Sequence, residues 1–376
     1  TYHLGVPNYG NIGGVAIGAS NPYFVRMASS PSVTVMNDVM SQNPTFFTNW
    51  IGANDVLAYA TGGGAIADDL TTPTIDESLL PTPASDNYGL SNDDALNYDK
   101  NDITSGNVFS LSYNNILNAL TSNGAKGVVA TIPSVTSIPY FTTIPYAPLT
   151  AQSLGAGLAP SGSDTATQIA YGTAAMNQLN TELYSKLDYV FTAYGEPNRV
   201  NSLDPTAANP LLIYDADAVD RSVQISGALQ LQGTPQSIAD VLGATFGKAR
   251  QTTSQDLVVL PAKGVIGKVN STALANPVLS GLPTPIVNTG VSYPMENKWV
   301  LTANEKTKVA NATNAFNNVI VSLASSYDLA VLDANALMNQ LVSGLQIETG
   351  QIYTANYFSG VQTEGQVLFS LDGVHP

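Results

Sequence analysis

Apolar and polar positions change period along this chain, and the changes mark its elements. Phe46 to Ile51 is an aromatic, β-prone run that stops at Gly52, which predicts a buried strand delivering Gly52-Ala53-Asn54-Asp55 at its end. Ahead of it, residues 5 to 21 are rich in Gly, Asn, Ala and Ser and read as a loop. Ser32 to Met40 follows Pro31 and places Val33, Met36, Val39 and Met40 at helical spacing. After a polar, acidic stretch from Thr61 to about Thr104, too long for an ordinary connection and read as a lid or wall, Leu111 to Leu120 has the helical period and Asn123-Gly124 its stop. Val128 to Ile132 then reads as a buried strand. Strand and helix alternating at this spacing imply a parallel sheet covered on both faces.

From Pro133 to about Pro294 the pattern loosens into Pro-, Thr- and Gly-rich stretches, with a helical island at Thr165 to Leu187 and short strands near Leu211 to Tyr214 and Leu257 to Leu260. Order returns in Leu301 to Tyr327, a long helix whose apolar stripe is Val309, Phe316, Ile320 and Leu323. A strand at Leu329 to Leu332, Asp333 at its carboxyl end and a helix over Ala336 to Leu345 complete a unit of the same kind. No internal repeat and no low-complexity tract interrupts this reading. It gives one elaborated domain over residues 1–376 with an inserted decoration at about 134–300, or two domains if that insertion holds its own core.

Composition narrows the function. The hydrophobic fraction of 44% supports a substantial core in a chain of 376 residues, while 11% charged residues is well below the roughly 25% usual in soluble domains. Ser, Thr, Asn and Gln must therefore cover much of the surface, which suits an exported bacterial protein. A net charge of −15 and a pI near 4.2 argue against nucleic acid as a partner, because phosphates are neutralised by clustered Lys and Arg. The absence of cysteine removes disulfides, thiolate metal sites and a thiol nucleophile. Two distant histidines make a zinc centre a poor fit, and the acidic clusters Asp68-Asp69 and Asn92-Asp93-Asp94 lack the ligand spacing of a helix-loop-helix calcium site and read as a solvated face. No cofactor is expected. No apolar run is long enough to span a membrane.

The remaining chemistry lies at two places. Ligands in open α/β sheets bind outside the carboxyl ends of strands, which is where Asn54 falls. Its amide can donate to an oxyanion, although Asn54-Asp55 equally suits the cap of a following helix. Ser370-Leu371-Asp372-Gly373-Val374-His375-Pro376 sets an acid and a histidine three residues apart, a base and the carboxylate that would orient it. The same residues also read as a plain turn with a surface histidine. His3 reads as a packing or surface residue.

Gly52-Ala53-Asn54-Asp55 resembles the third conserved block, Gly-x-Asn-Asp, of the SGNH or GDSL-type esterases and lipases, and Asp372-Gly373-Val374-His375-Pro376 resembles their fifth, Asp-x-x-His. The resemblance extends to Arg26-Met27-Ala28-Ser29-Ser30-Pro31 and to Gly127-Val128-Val129-Ala130-Thr131-Ile132-Pro133, and so covers most of the chain outside the middle. It implies a three-layer, flavodoxin-like α/β fold and hydrolysis of a small-molecule, lipid or acylated-carbohydrate ester through an acyl-serine. His375 would be the base, Asp372 its orienter and Asn54 an oxyanion donor. Thr1 to Pro7 resembles the segment around the second block, whose oxyanion-hole glycine would match a position near Asn8, with Gly5 the glycine nearby. The first block, with the nucleophilic serine, is not found; the resemblance implies that it lies upstream of Thr1 and that a last helix would follow His375. The competing expectation is a non-catalytic surface or carbohydrate-binding protein whose polar insertion does the binding.

Overall fold

The structure is a computed structural model and describes residues 1–17, 20–65, 98–99, 101–355 and 374. Its strands are short: β1 (Phe46–Asn49), β2 (Lys126–Ala130), β3 (Leu212–Tyr214), β4 (Ala249–Gln251), β5 (Leu257–Val258), β6 (Val300–Leu301), β7 (Ala330–Leu332), β8 (Leu345–Gln346) and β9 (Ile352–Tyr353). Contacts gather the described residues into two compact units, one from residues 1–60, 98–138 and 307–355, the other from 61–65 and 139–306.

The first unit is built on a parallel sheet in the order β1-β2-β7, with Phe47 opposite Gly127 and Val129 opposite Val331. The chain is thus mixed α/β, with the parallel pairing that strand–helix alternation implies. The strands themselves are less covered than expected. Phe46 and Thr48 are exposed while Phe47 and Asn49 are buried, because β1 lies at an edge of the three strands and presents only one face to the core. All three residues of β7 are exposed, against the expectation of a covered sheet.

Caps fix the helices. Val35–Ser41 begins at Thr34, whose hydroxyl accepts from the Asn37 N–H at 3.0 Å, later than the start expected behind Pro31. Gly106–Thr121 begins at Ser105 in the same way, a turn before the expected Leu111, and Leu111 points to solvent. Its buried stripe is Val108, Phe109, Tyr113, Ile116, Leu117 and Leu120. Gly124, at φ 79°, supplies the expected stop. The long helix is Ala303–Ser326, with Val309, Phe316 and Ile320 buried as expected and Leu323 half-buried. Phe316 stacks on Phe109 with ring centroids 4.1 Å apart, joining the two helices in one core.

The second unit is mostly helical. Ala151–Ala156 crosses Thr165–Leu179 so closely that a Cβ on Gly155 would overlap the Gln168 carbonyl oxygen, and one on Gly172 that of Ala151. The expected helical island at Thr165 to Leu187 passes through a π turn at Asn180–Tyr184 and continues to Ala193. Two further helices, Ser222–Leu231 and Gln236–Phe246, lie in the stretch where the sequence pattern loosens. Val223 and Leu231 are exposed apolar residues that blur the period, and Gly243 is a close-packing position against the Ser222 carbonyl rather than a break. β3 and β4 pair antiparallel, as do β5 and β6. Between them Arg250 is held by both Asp215 and Asp256, the latter with a fully buried side chain. The flanking acids raise the Arg250 pKa, outweighing the opposing effect of burial.

Candidate active site at the carboxyl end of the parallel sheet

Beyond β1 the chain turns through Gly52, buried at φ 114°, a conformation open to glycine and costly for other residues. A Cβ there would stand 2.8 Å from Ile132 Cδ1 and 3.1 Å from Phe109 Cε2, so the turn is pressed into the core from both the segment just past β2 and the helix Gly106–Thr121. The Asp55 N–H donates to the Gly52 carbonyl at 3.1 Å, and the helix Asn54–Thr61 begins.

The two residues of the Asn-Asp pair go opposite ways. Asp55 is buried: its Oδ1 accepts from the Thr104 hydroxyl at 2.8 Å, its Oδ2 accepts from the Thr1 hydroxyl and from the Thr1 nitrogen at 3.1 Å, and its carbonyl accepts from the Thr104 N–H. Asn54 is exposed, and its side chain makes no hydrogen bond among the described residues. Asp55 thus fixes the first turn of the helix, and the Asn54 amide stands free at the sheet's carboxyl edge.

Neighbouring strand ends are held by neutral side chains. Asn317, on the long helix, accepts from the Ile132 N–H at 2.7 Å and donates to the Ile132 carbonyl at 2.9 Å, which clamps the exit of β2. The Thr131 N–H donates to the Leu332 carbonyl, and the Thr131 hydroxyl donates to Asp333 at 3.1 Å. Asp333 caps the helix Ala334–Ser343 through the Ala336 N–H at 2.9 Å. Beneath β1, Asn49 and Tyr113 are buried, and among the described residues neither Asn49 Nδ2 nor the Tyr113 hydroxyl has a hydrogen-bond partner. Burial pushes the Tyr113 phenol above its usual range.

Of the other candidates, Gly5 ends the 3₁₀ turn Tyr2–Gly5 and has no left-handed backbone, whereas Asn8 does, at φ 69°. The Asn8 N–H donates to the Ser32 carbonyl at 3.4 Å, and its own carbonyl accepts from Asn11 N–H and the Ser20 hydroxyl. Both Gly5 and Asn8 are exposed. His3 is exposed with its ring 5.5 Å from that of Tyr9; partial burial lowers its pKa, with Asp55 opposing. Asp372 and His375 lie outside the described residues, as do residues 66–97 of the expected lid.

Sequence reasoning named Asn54 but not the residues that hold its surroundings. Asn317 carried a signal, since with Thr313, Phe316 and Ile320 it falls on the core-facing stripe of its helix, where an amide needs a partner. Asn49 likewise stood out as an amide closing an apolar strand.

Compared with protein-family models, curated proteins and solved structures, the chain gives no match. Among the described residues no cluster of His, Asp or Glu is arranged to hold a metal ion, and no helix is long and apolar enough to cross a membrane.

Proposed function

We propose that this chain belongs to an SGNH-type carboxylic ester hydrolase working through an acyl-serine. The observation that carries the reading is the Gly52–Asp55 turn: it follows a parallel strand, needs glycine at its bend, buries Asp55 and leaves the Asn54 amide free at the sheet's carboxyl edge. A tetrahedral intermediate carries negative charge on the former carbonyl oxygen, and an amide with no other partner is able to donate to it. Gly5 and Asn8 are the two candidates for the second donor, and the Asn8 N–H would have to leave the Ser32 carbonyl to serve. The Asn8 backbone is left-handed, a conformation Asn tolerates better than most residues. His375 takes the serine proton and Asp372 sets its tautomer.

The test is hydrolysis of short- to long-chain chromogenic esters by the full-length protein. His375→Ala should nearly abolish turnover. Asn54→Ala should lower kcat by about 10²–10³. Full activity in both variants would overturn the reading.

A further inference from the structure

The second unit contains a cavity of about 170 Å³ between the helical stretch 179–190, the pair of helices Ser222–Leu231 and Gln236–Phe246, and residues 282–286. Leu183, Leu187, Val190, Ile225, Phe246 and Ile286 line it, all buried. An apolar cavity of about 150 Å³ in another protein stays free of water and takes up benzene, so this one is of a size and chemistry to take a comparable apolar group. One wall is the π turn Asn180–Tyr184, which contributes Leu183 and Glu182. Such turns are rare inside helices and recur at functional sites, which sets the cavity apart from a chance packing defect.

The mouth is polar and carries no uncompensated charge. Glu182 and Lys186 pair across one helical turn at 3.3 Å, so neither is left to bind an ion. Gln232, exposed, and Thr234, half-buried, also line the cavity, and among the described residues their side chains make no hydrogen bond. A carboxylate ligand would meet Glu182, and an ammonium ligand Lys186, whereas a hydroxyl, ester or amide finds both donors and acceptors at Gln232 and Thr234.

We propose that this cavity is a binding site for a small neutral amphiphile, with an alkyl or aryl group of about six carbons inside and an uncharged hydrogen-bonding group at Gln232 and Thr234. The site belongs to the second unit alone and stands whether or not the ester-hydrolase reading does. The experiment is a titration of the full chain, labelled at Ile, Leu and Val methyls, with 1-hexanol and with hexanoate. Expected with 1-hexanol are saturable shifts centred on the methyls of Leu183, Leu187 and Ile225, and at least tenfold weaker binding of hexanoate. Ala228→Phe, which fills the cavity, should weaken 1-hexanol binding at least tenfold while leaving distant methyl resonances unchanged. Gln232→Ala, at an exposed position that cannot disturb the core, should weaken 1-hexanol several-fold and serves where the larger side chain prevents folding. Absence of saturable shifts at the cavity methyls, equal binding of both ligands, or unchanged 1-hexanol affinity in the folded variants would overturn the proposal.

Discussion

The sheet unit and the helical unit bury polar groups by different chemistry. Around β2 and β7 the interior polar contacts are made by neutral amides and hydroxyls: Asn317 on the Ile132 peptide, and Thr131 between Leu332 and Asp333. In the helical unit the interior carries charge, with Arg250 between Asp215 and Asp256, and Glu305 under the glycine turn at 62–64. Glu305 Oε2 accepts from the Thr302 N–H at 2.8 Å and the Thr302 hydroxyl at 2.9 Å, and Oε1 from Asn297 at 3.2 Å. Burial still raises its pKa to about 7, with Asp215 adding to the rise and the hydrogen bonds opposing it. Neutral amides hold a geometry that pH does not touch, whereas buried charges make local stability depend on protonation. Asp55 is the exception in the sheet unit, and the Thr104 hydroxyl and N–H on it fix the turn next to Asn54.

The comparison breaks most sharply at Arg250. Arg250→Leu leaves Asp256 buried without its counter-ion and should cost about 3–5 kcal/mol, read as a lower urea midpoint. Glu305 gives the next effect. Its folded-state pKa lies above the ordinary carboxyl value, so the folded protein holds the proton more tightly, and stability should fall as pH rises from about 4.5 to about 7 and level off above. The full span is on the order of 3 kcal/mol. Glu305→Gln should flatten that slope and raise stability at pH 8, checked by denaturant unfolding across the pH range. A steeper loss toward acid through the same window would contradict the assignment. In the sheet unit, Asn317→Ala strands the N–H and carbonyl of Ile132 at a cost of about 1–3 kcal/mol, with no pH dependence between 5 and 8. The smallest effect belongs to Asp333→Ala, about 1 kcal/mol for the lost helix cap, together with faster amide exchange at Ala336.

The elements with a clean period were legible in the sequence. Val309, Phe316 and Ile320 foretold the long helix because only one of its faces meets the core, and Gly124 marked a stop through its backbone alone. Parallel pairing followed from alternation of elements. The helices at Ser222–Leu231 and Gln236–Phe246 were missed because exposed Val223 and Leu231 spoil the stripe and Gly243 imitates a break. Strand exposure was missed because Phe46 and Val331 have strand propensity whichever side they face, and coverage is a property of neighbours distant in sequence. At the candidate site, Asn54 could be named from its four-residue setting. The roles of Thr104, Thr131 and Asn317 could not, since each acts on a residue at least 49 positions away.

The crossing of Ala151–Ala156 over Thr165–Leu179 bears on how this chain can drift in evolution. At Gly155 and Gly172 the space a side chain would fill is taken by the other helix's backbone carbonyl, which has no rotamer to change. No single replacement at either position is neutral, and a change at one does not make room at the other, because the obstacle in each case is main chain. Distant descendants of this sequence should therefore keep both glycines long after the surrounding apolar residues have been exchanged for one another, which makes the pair a marker of shared descent in sequences too diverged to align elsewhere.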